Sequence, residues 1–237
     1  MIRSITAPGA PVGWSYTAYD IDKDNHHADV VILGIMTDNI ALLGATSGAT
    51  TYFDLGHPYT FPRYYADNGT LHHKYPPFFT EEGFAEYFSN ANKWQEYRNW
   101  LANNDKFYDT FLFKNSLLDH SAFLRIIRRA YADMVKKRLT KNIYTKNGFN
   151  LNSEEIKILR AMIVAFAQSA RAQNKLPIIY IVNNEGRSDH LYRAVQPVLD
   201  KYEIPNLSSH IICPPDDPKV YLGTNSHFTP EKDIELA

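Results

Sequence analysis

Near the C-terminus, Tyr221-Leu-Gly-Thr-Asn-Ser-His227-Phe-Thr-Pro-Glu-Lys232 sets a histidine just before a helix-start pattern. Thr229 reads as the N-cap, Pro230 as the first helical residue and Glu231 as part of the first turn. The positive end of such a helix disfavours an imidazolium. A neutral, well-held imidazole is what a general base requires. A second candidate closes the apolar run Ala28-Asp-Val-Val-Ile-Leu-Gly-Ile-Met36, which continues Thr-Asp-Asn39-Ile. Asp38 and Asn39 would then stand at the carboxyl end of a buried strand, the edge where open α/β sheets bind ligands. There the Asn39 amide could donate to a developing oxyanion. Each also has an ordinary structural reading: a loop histidine before a helix, and an Asp-Asn turn.

The elements that must position these residues follow from the hydrophobic pattern. Ala28–Met36 and Leu176–Val182 are continuous apolar runs, as expected of strands buried on both faces in a parallel sheet, and His210–Cys213 is a weaker third. Helical spacing of apolar residues runs from Ser116 to Leu139, with Arg and Lys on the other face. It recurs from the cap-like Asn152-Ser-Glu-Glu155 to Ala170, from Asp189 to Tyr202, and from Thr229 to Ala237. The alternation of strand and helix predicts an α/β layered fold with a mostly parallel sheet. Residues 44–115 interrupt that rhythm with an aromatic-rich stretch, helical from Thr80 to Leu101. We read it as a cap or insertion after a strand's carboxyl end, within one domain spanning 1–237. A packing layer without substrate contact is the alternative.

Bulk composition narrows the function. The chain has 237 residues, 25 basic against 26 acidic, and so gives no support for nucleic acid or an anionic membrane as partner. One cysteine, Cys213, excludes an intrachain disulfide and a Cys-based zinc site, and it reads as a buried strand-end thiol. The adjacent pairs His26-His27 and His72-His73 would point to opposite faces of a strand and make poor chelators. No cofactor is implied. No apolar run is long enough for a membrane span, and the N-terminus lacks a secretory pattern, so the chain as given reads as cytoplasmic.

Three stretches then fall into line: Ala7-Pro-Gly-Ala-Pro-Val-Gly-Trp-Ser-Tyr16, Ala28–Ile40 and Thr224–Glu231. In order and spacing they resemble blocks of the SGNH/GDSL-type hydrolases, flavodoxin-like three-layer enzymes that cleave or transfer acyl and acetyl esters. Tyr64-Tyr-Ala-Asp-Asn-Gly-Thr-Leu71 resembles a hairpin of the larger bacterial members, and Ser116–Arg125 the helix start that follows it. The resemblance implies a serine ester hydrolase or acyl transferase acting on a small-molecule, carbohydrate or lipid ester. It assigns Gly9 (less well Gly13) as an oxyanion N–H, Asn39 as the oxyanion amide and His227 as the base.

Two departures stand out. Where the family carries its acid, this chain has Asn225 and Thr224; Asn225 can still orient the imidazole, and Asp216 or Asp217 could approach from the preceding loop. The Gly-Asp-Ser nucleophile block on the family's first strand has no counterpart. Ser47, in Gly44-Ala-Thr-Ser-Gly48, misses the nucleophile-elbow spacing and reads as a flexible turn. The expectation is therefore a domain lacking its first strand, truncated and weakly active or inactive as given, which fills the gap, self-associates through an exposed sheet edge or is marginally stable. The alternative is a non-catalytic module of the same fold that binds a glycan or a protein.

Overall fold

The computed structural model describes residues 11–25, 27–51, 60–108, 120–222 and 227–236. Gly9, Asn225 and Thr224 lie outside them. In chain order the elements are α1 (Val12–Asp22), β1 (Val30–Met36), α2 (Gly48–Thr51), β2 (Arg63–Asp67), β3 (Thr70–Lys74), α3 (Glu81–Ser89), α4 (Ala91–Asn104) and α5 (Ala122–Thr140). They continue as β4 (Tyr144–Thr145), β5 (Gly148–Phe149), α6 (Glu154–Ala172), β6 (Leu176–Val182), α7 (His190–Lys201), β7 (Asn206–Ser208) and α8 (Pro230–Leu236). The fold is mixed α/β with a small parallel sheet, as the alternation of apolar runs and helical spacing predicts. Two compact units share the chain: one comprises Met1–Leu43, Tyr65–Leu71 and Ile143–Ala237, the other Gly44–Tyr64 and His72–Asn142.

The first unit is built on three parallel strands in the order β1-β6-β7. β1 and β6 pair along their whole length, Val30 opposite Leu176 and Met36 opposite Val182. Side chains alternate between faces. Leu33, Ile35, Ile179 and Ile181 are buried, and α1 packs on β1 while α6 packs on β6 and on α1. The opposite face of β1 leaves Val30, Ile32 and Met36 exposed. α6 starts where Ser153 accepts the Ile156 N–H, with the acidic Glu154 and Glu155 in its first turn.

One expectation is corrected here. The third strand is Asn206–Ser208, which pairs with Ile179–Ile181, and not His210–Cys213. Ser209–Ile211 is a 3-10 turn closed by the Cys213 and Ile212 N–H groups on the Ser209 carbonyl, at 2.7 and 3.1 Å. The apolar Ile211 and Ile212 that suggested a strand are exposed.

The second unit is helical and aromatic. α3 and α4 pack together around Phe78, Tyr97 and Leu101, with Phe84, Tyr87, Trp94 and Trp100 against them. Asn90 ends α3 and starts α4, its side chain accepting the Asn92 and Lys93 N–H groups. A buried carboxylate, Asp105, ties the unit together. Its Oδ2 accepts from the Thr46 N–H (2.7 Å), the Thr46 hydroxyl (2.9 Å), the Ser47 N–H (3.1 Å) and the Thr50 hydroxyl (2.7 Å). Oδ1 takes the Phe107 N–H at 2.8 Å. Burial pushes this carboxyl up while those donors pull it down, and burial is the larger effect. Ser47 is therefore fixed in a buried clasp at the head of α2, not in a flexible turn. This unit reaches Asn142 and takes in α5.

Candidate functional site at the carboxyl edge of the parallel sheet

β1, β6 and β7 all end at one edge of the sheet, since they run parallel. The chain leaving β1 turns at once into a 3-10 helix, Thr37–Leu42, which carries Asn39 on a half-buried surface. Three contacts fix this turn. The Thr37 hydroxyl donates to the Val182 carbonyl at 3.2 Å, and the Asp38 N–H donates to Asn184 Oδ1 at 3.2 Å. The Asp38 carboxylate also pairs with the Arg187 guanidinium at 3.2 Å. The Asn39 amide reaches back to the Met36 sulfur at 3.9 Å.

His227 lies on a second loop that is tied to the same edge. The Leu222 N–H donates to the His227 carbonyl at 2.7 Å, and Tyr221 and Phe228 form an antiparallel bridge with their rings stacked 5.3 Å apart. The Tyr221 hydroxyl donates to the Asn183 carbonyl at 3.2 Å. Burial raises this phenol to about 12, so it stays a donor across the working pH range. α8 begins at Pro230 with Glu231 in its first turn, as the Thr-Pro-Glu pattern predicts, and the Lys232 and Asp233 N–H groups close on the Thr229 carbonyl. The imidazole of His227 is exposed. No acid reaches it among the described residues: the Asp217 carboxylate caps its own turn through the Lys219 N–H at 3.0 Å, and Asp216 is exposed.

Asn183 and Asn184 thus join the two loops, Asn184 through its side chain and Asn183 through its carbonyl. The Asn183 side chain also holds the third strand end. Its Nδ2 donates to Ser208 Oγ at 3.0 Å, and Ser208 Oγ is hydrogen-bonded to His210 Nδ1 at 2.7 Å. The Asn183 N–H donates to Ser209 Oγ at 2.9 Å. Asn183 is fully buried, and its Oδ1 has no hydrogen-bond partner among the described residues. None of these five residues, Asn183, Asn184, Ser208, Ser209 and His210, is marked by the sequence pattern as functional. The available signal was small: two polar residues interrupt the apolar run directly after Val182, at a strand's carboxyl end.

The remaining histidine of this unit near the edge is His190, the first residue of α7. Its Nδ1 is hydrogen-bonded to the Tyr144 hydroxyl at 2.5 Å, and the Arg187 guanidinium lies 4.6 Å above the Tyr144 ring. Burial, then the Arg193 charge, lowers its pKa. Cys213 is buried with Val220 and Tyr221, and burial raises its thiol pKa, so it is an inert packing residue rather than a nucleophile. Among the described residues no group of three or more His, Cys, Asp or Glu side chains gathers as a metal set, and no helix is long and apolar enough to cross a membrane. No family model, curated protein or solved structure matches the chain.

Proposed function

We propose that the carboxyl edge of the β1-β6-β7 sheet is the acyl-ester site of an SGNH-type hydrolase or acyl transferase with a flavodoxin-like layered fold. In this reading His227 is the general base and the Asn39 amide donates to the oxyanion that forms as the ester carbonyl is attacked. Gly9 supplies a backbone N–H and Asn225 orients the imidazole; both roles rest on the resemblance alone. The substrate is a small-molecule, carbohydrate or lipid ester. The observation that carries the reading is the pinning of both candidate loops to consecutive residues: the Asn39 turn to the Asn184 side chain and the His227 hairpin to the Asn183 carbonyl.

Hydrolysis of p-nitrophenyl acetate by the chain, by His227→Ala and by Asn39→Ala tests the reading. We expect weak turnover that both substitutions abolish; turnover that survives His227→Ala removes that residue from the role of base. Labelling with a fluorophosphonate followed by peptide mapping identifies the nucleophile. Modification at Ser208 would make its hydrogen bond to His210 the activating contact. A second reading, a glycan-binding module without turnover, is favoured by the exposed aromatic rings Tyr75, Phe79 and Phe88 in the second unit. Glycan-array binding without esterase activity would decide for it.

A further inference from the structure

Ser208 is the last residue of β7 and stands at the carboxyl edge of the parallel sheet. Its backbone is extended, with φ −121° and ψ 124°, and the chain turns at once into the 3-10 helix Ser209–Ile211. That change of direction brings His210 back to the strand end. Its Nδ1 lies 2.7 Å from Ser208 Oγ, and its ring sits 5.1 Å from that of Tyr192 on α7. A hydroxyl within hydrogen-bond reach of an imidazole that a third group orients is the arrangement of an activated nucleophile.

The direction of the proton in this contact follows from the other partner. Asn183 Nδ2, which has only hydrogens to offer, donates to Ser208 Oγ at 3.0 Å. No further partner reaches Oγ among the described residues, so the hydroxyl's own hydrogen goes to His210 Nδ1. The neutral imidazole therefore carries its proton on Nε2 and turns its basic nitrogen to the serine. The same Asn183 amide is placed to stabilise the charge that grows on Oγ as its proton leaves. Asn183 is held for this on two sides: its N–H donates to Ser209 Oγ and its carbonyl accepts the Tyr221 hydroxyl. Its buried Oδ1, without a partner among the described residues, is an acceptor that a donor on a bound substrate would satisfy. Ser208 is 6 % exposed and His210 half-buried, so the pair is sheltered from bulk water without being sealed off from it.

We propose that Ser208 is the nucleophile of the carboxyl-edge site and His210 the base that activates it. The inference rests on the ester-hydrolase reading and supplies the residue which that reading lacks. Ser208 Oγ attacks the ester carbonyl carbon while its proton passes to His210 Nδ1. As the C–O bond to the alcohol breaks, His210 gives that proton to the departing alkoxide, and the acyl group stays on Ser208. Water then attacks the acyl carbon and gives one proton to His227. The serine oxygen leaves and regains a proton, so a carboxylic acid and the free hydroxyl result.

The test follows acylation and turnover separately. Fluorophosphonate labelling of the intact chain should map to Ser208, at a rate that rises between about pH 5 and about pH 8 as imidazole loses its proton. His210→Gln should slow labelling at least about hundredfold and flatten that rise. His227→Ala should leave labelling intact while release of p-nitrophenol from p-nitrophenyl acetate stops at one equivalent per chain. Ser208→Cys guards against a loss of label through misfolding: its alkylation by iodoacetamide should depend on His210 in the same way. Label on another serine, or turnover that survives Ser208→Ala, overturns the inference and leaves the ester site standing. Label at Ser208 that is indifferent to pH and to His210→Gln overturns the pairing with His210. Labelling abolished by His227→Ala and not by His210→Gln does so too, and assigns activation to His227. A folded chain that neither hydrolyses the ester nor takes the label at any residue removes both the inference and the reading beneath it.

Discussion

At the level of single residues, Asn183 and Asn184 are positioning groups for everything the carboxyl edge could do. Neither is a reactive type, yet one carbonyl and one amide hold the loops of both catalytic candidates. Tyr221→Phe removes the donor to the Asn183 carbonyl and should lower stability by about 1 kcal/mol in a denaturant titration. Asn184→Ala removes one of the three contacts that hold the turn bearing Asn39. In an active preparation it should reduce kcat for p-nitrophenyl acetate with little change in KM, because the oxyanion donor proposed at Asn39 would act in the transition state. A change confined to KM would argue that the turn binds substrate without stabilising charge. His190 gives a pH effect whose sign can be worked out. Its folded pKa is lowered, so the unfolded chain binds the proton more readily. Stability is fully present above the unfolded value near 6.5 and declines as pH falls through it. The unfolding midpoint should therefore drop between about pH 7.5 and about pH 5.5. His190→Gln should flatten that drop, and an unchanged profile would remove His190 as its cause.

Among the elements, those with a strong period and a clear cap were legible in the sequence. α6 follows its Ser153 cap, α7 fills the Asp189–Tyr202 pattern, and β6 matches its apolar run residue for residue. The hairpin of β2 and β3 turns at Asn68 and Gly69, with φ of 48° and 81°, the left-handed pair that an Asn-Gly turn requires. α1 went unread because its apolar residues, Val12, Trp14 and Tyr16, follow no helical stripe. Gly13 is buried beside them. The run from Thr80 to Leu101 reads as one helix, but Asn90 splits it in two. An Asn side chain can cap a new helix as readily as it can stay silent within one, and period alone does not separate the cases. Replacing Asn90 by alanine should cost about 1 kcal/mol in thermal or denaturant unfolding. If stability is unchanged, the break is set by packing around Phe78 and Tyr97 instead. At the candidate site, His227 and Asn39 were visible as residue types at expected edges. The asparagines that anchor their loops were not, because hydrogen bonds between residues far apart in sequence leave no local pattern.

On the scale of the whole molecule, each compact unit has its own organising contact. In the second it is Asp105, whose loss would strand buried donors from Thr46, Ser47, Thr50 and Phe107. Asp105→Ala should cost about 3 kcal/mol or more. Limited proteolysis would show this as new cleavage within Gly44–Asn142 ahead of cleavage in the sheet. In the first unit β1 ends the strand order among the described residues, and it carries no charged or proline residue along its seven positions. An unprotected edge of that kind invites pairing with another chain. Size-exclusion chromatography over a range of concentrations should therefore show association, reduced by Ile32→Lys; a monomer at every concentration would contradict it. The pairing of β1 with β6 also has a consequence during synthesis. Val30 emerges from the ribosome early, and its partner Leu176 comes only after the entire second unit has been made. At ordinary elongation rates this apolar strand waits on the order of 10 s for its neighbour. Ribosome-associated chaperones that shield such segments would therefore set the yield of folded chain, before any property of the finished site matters.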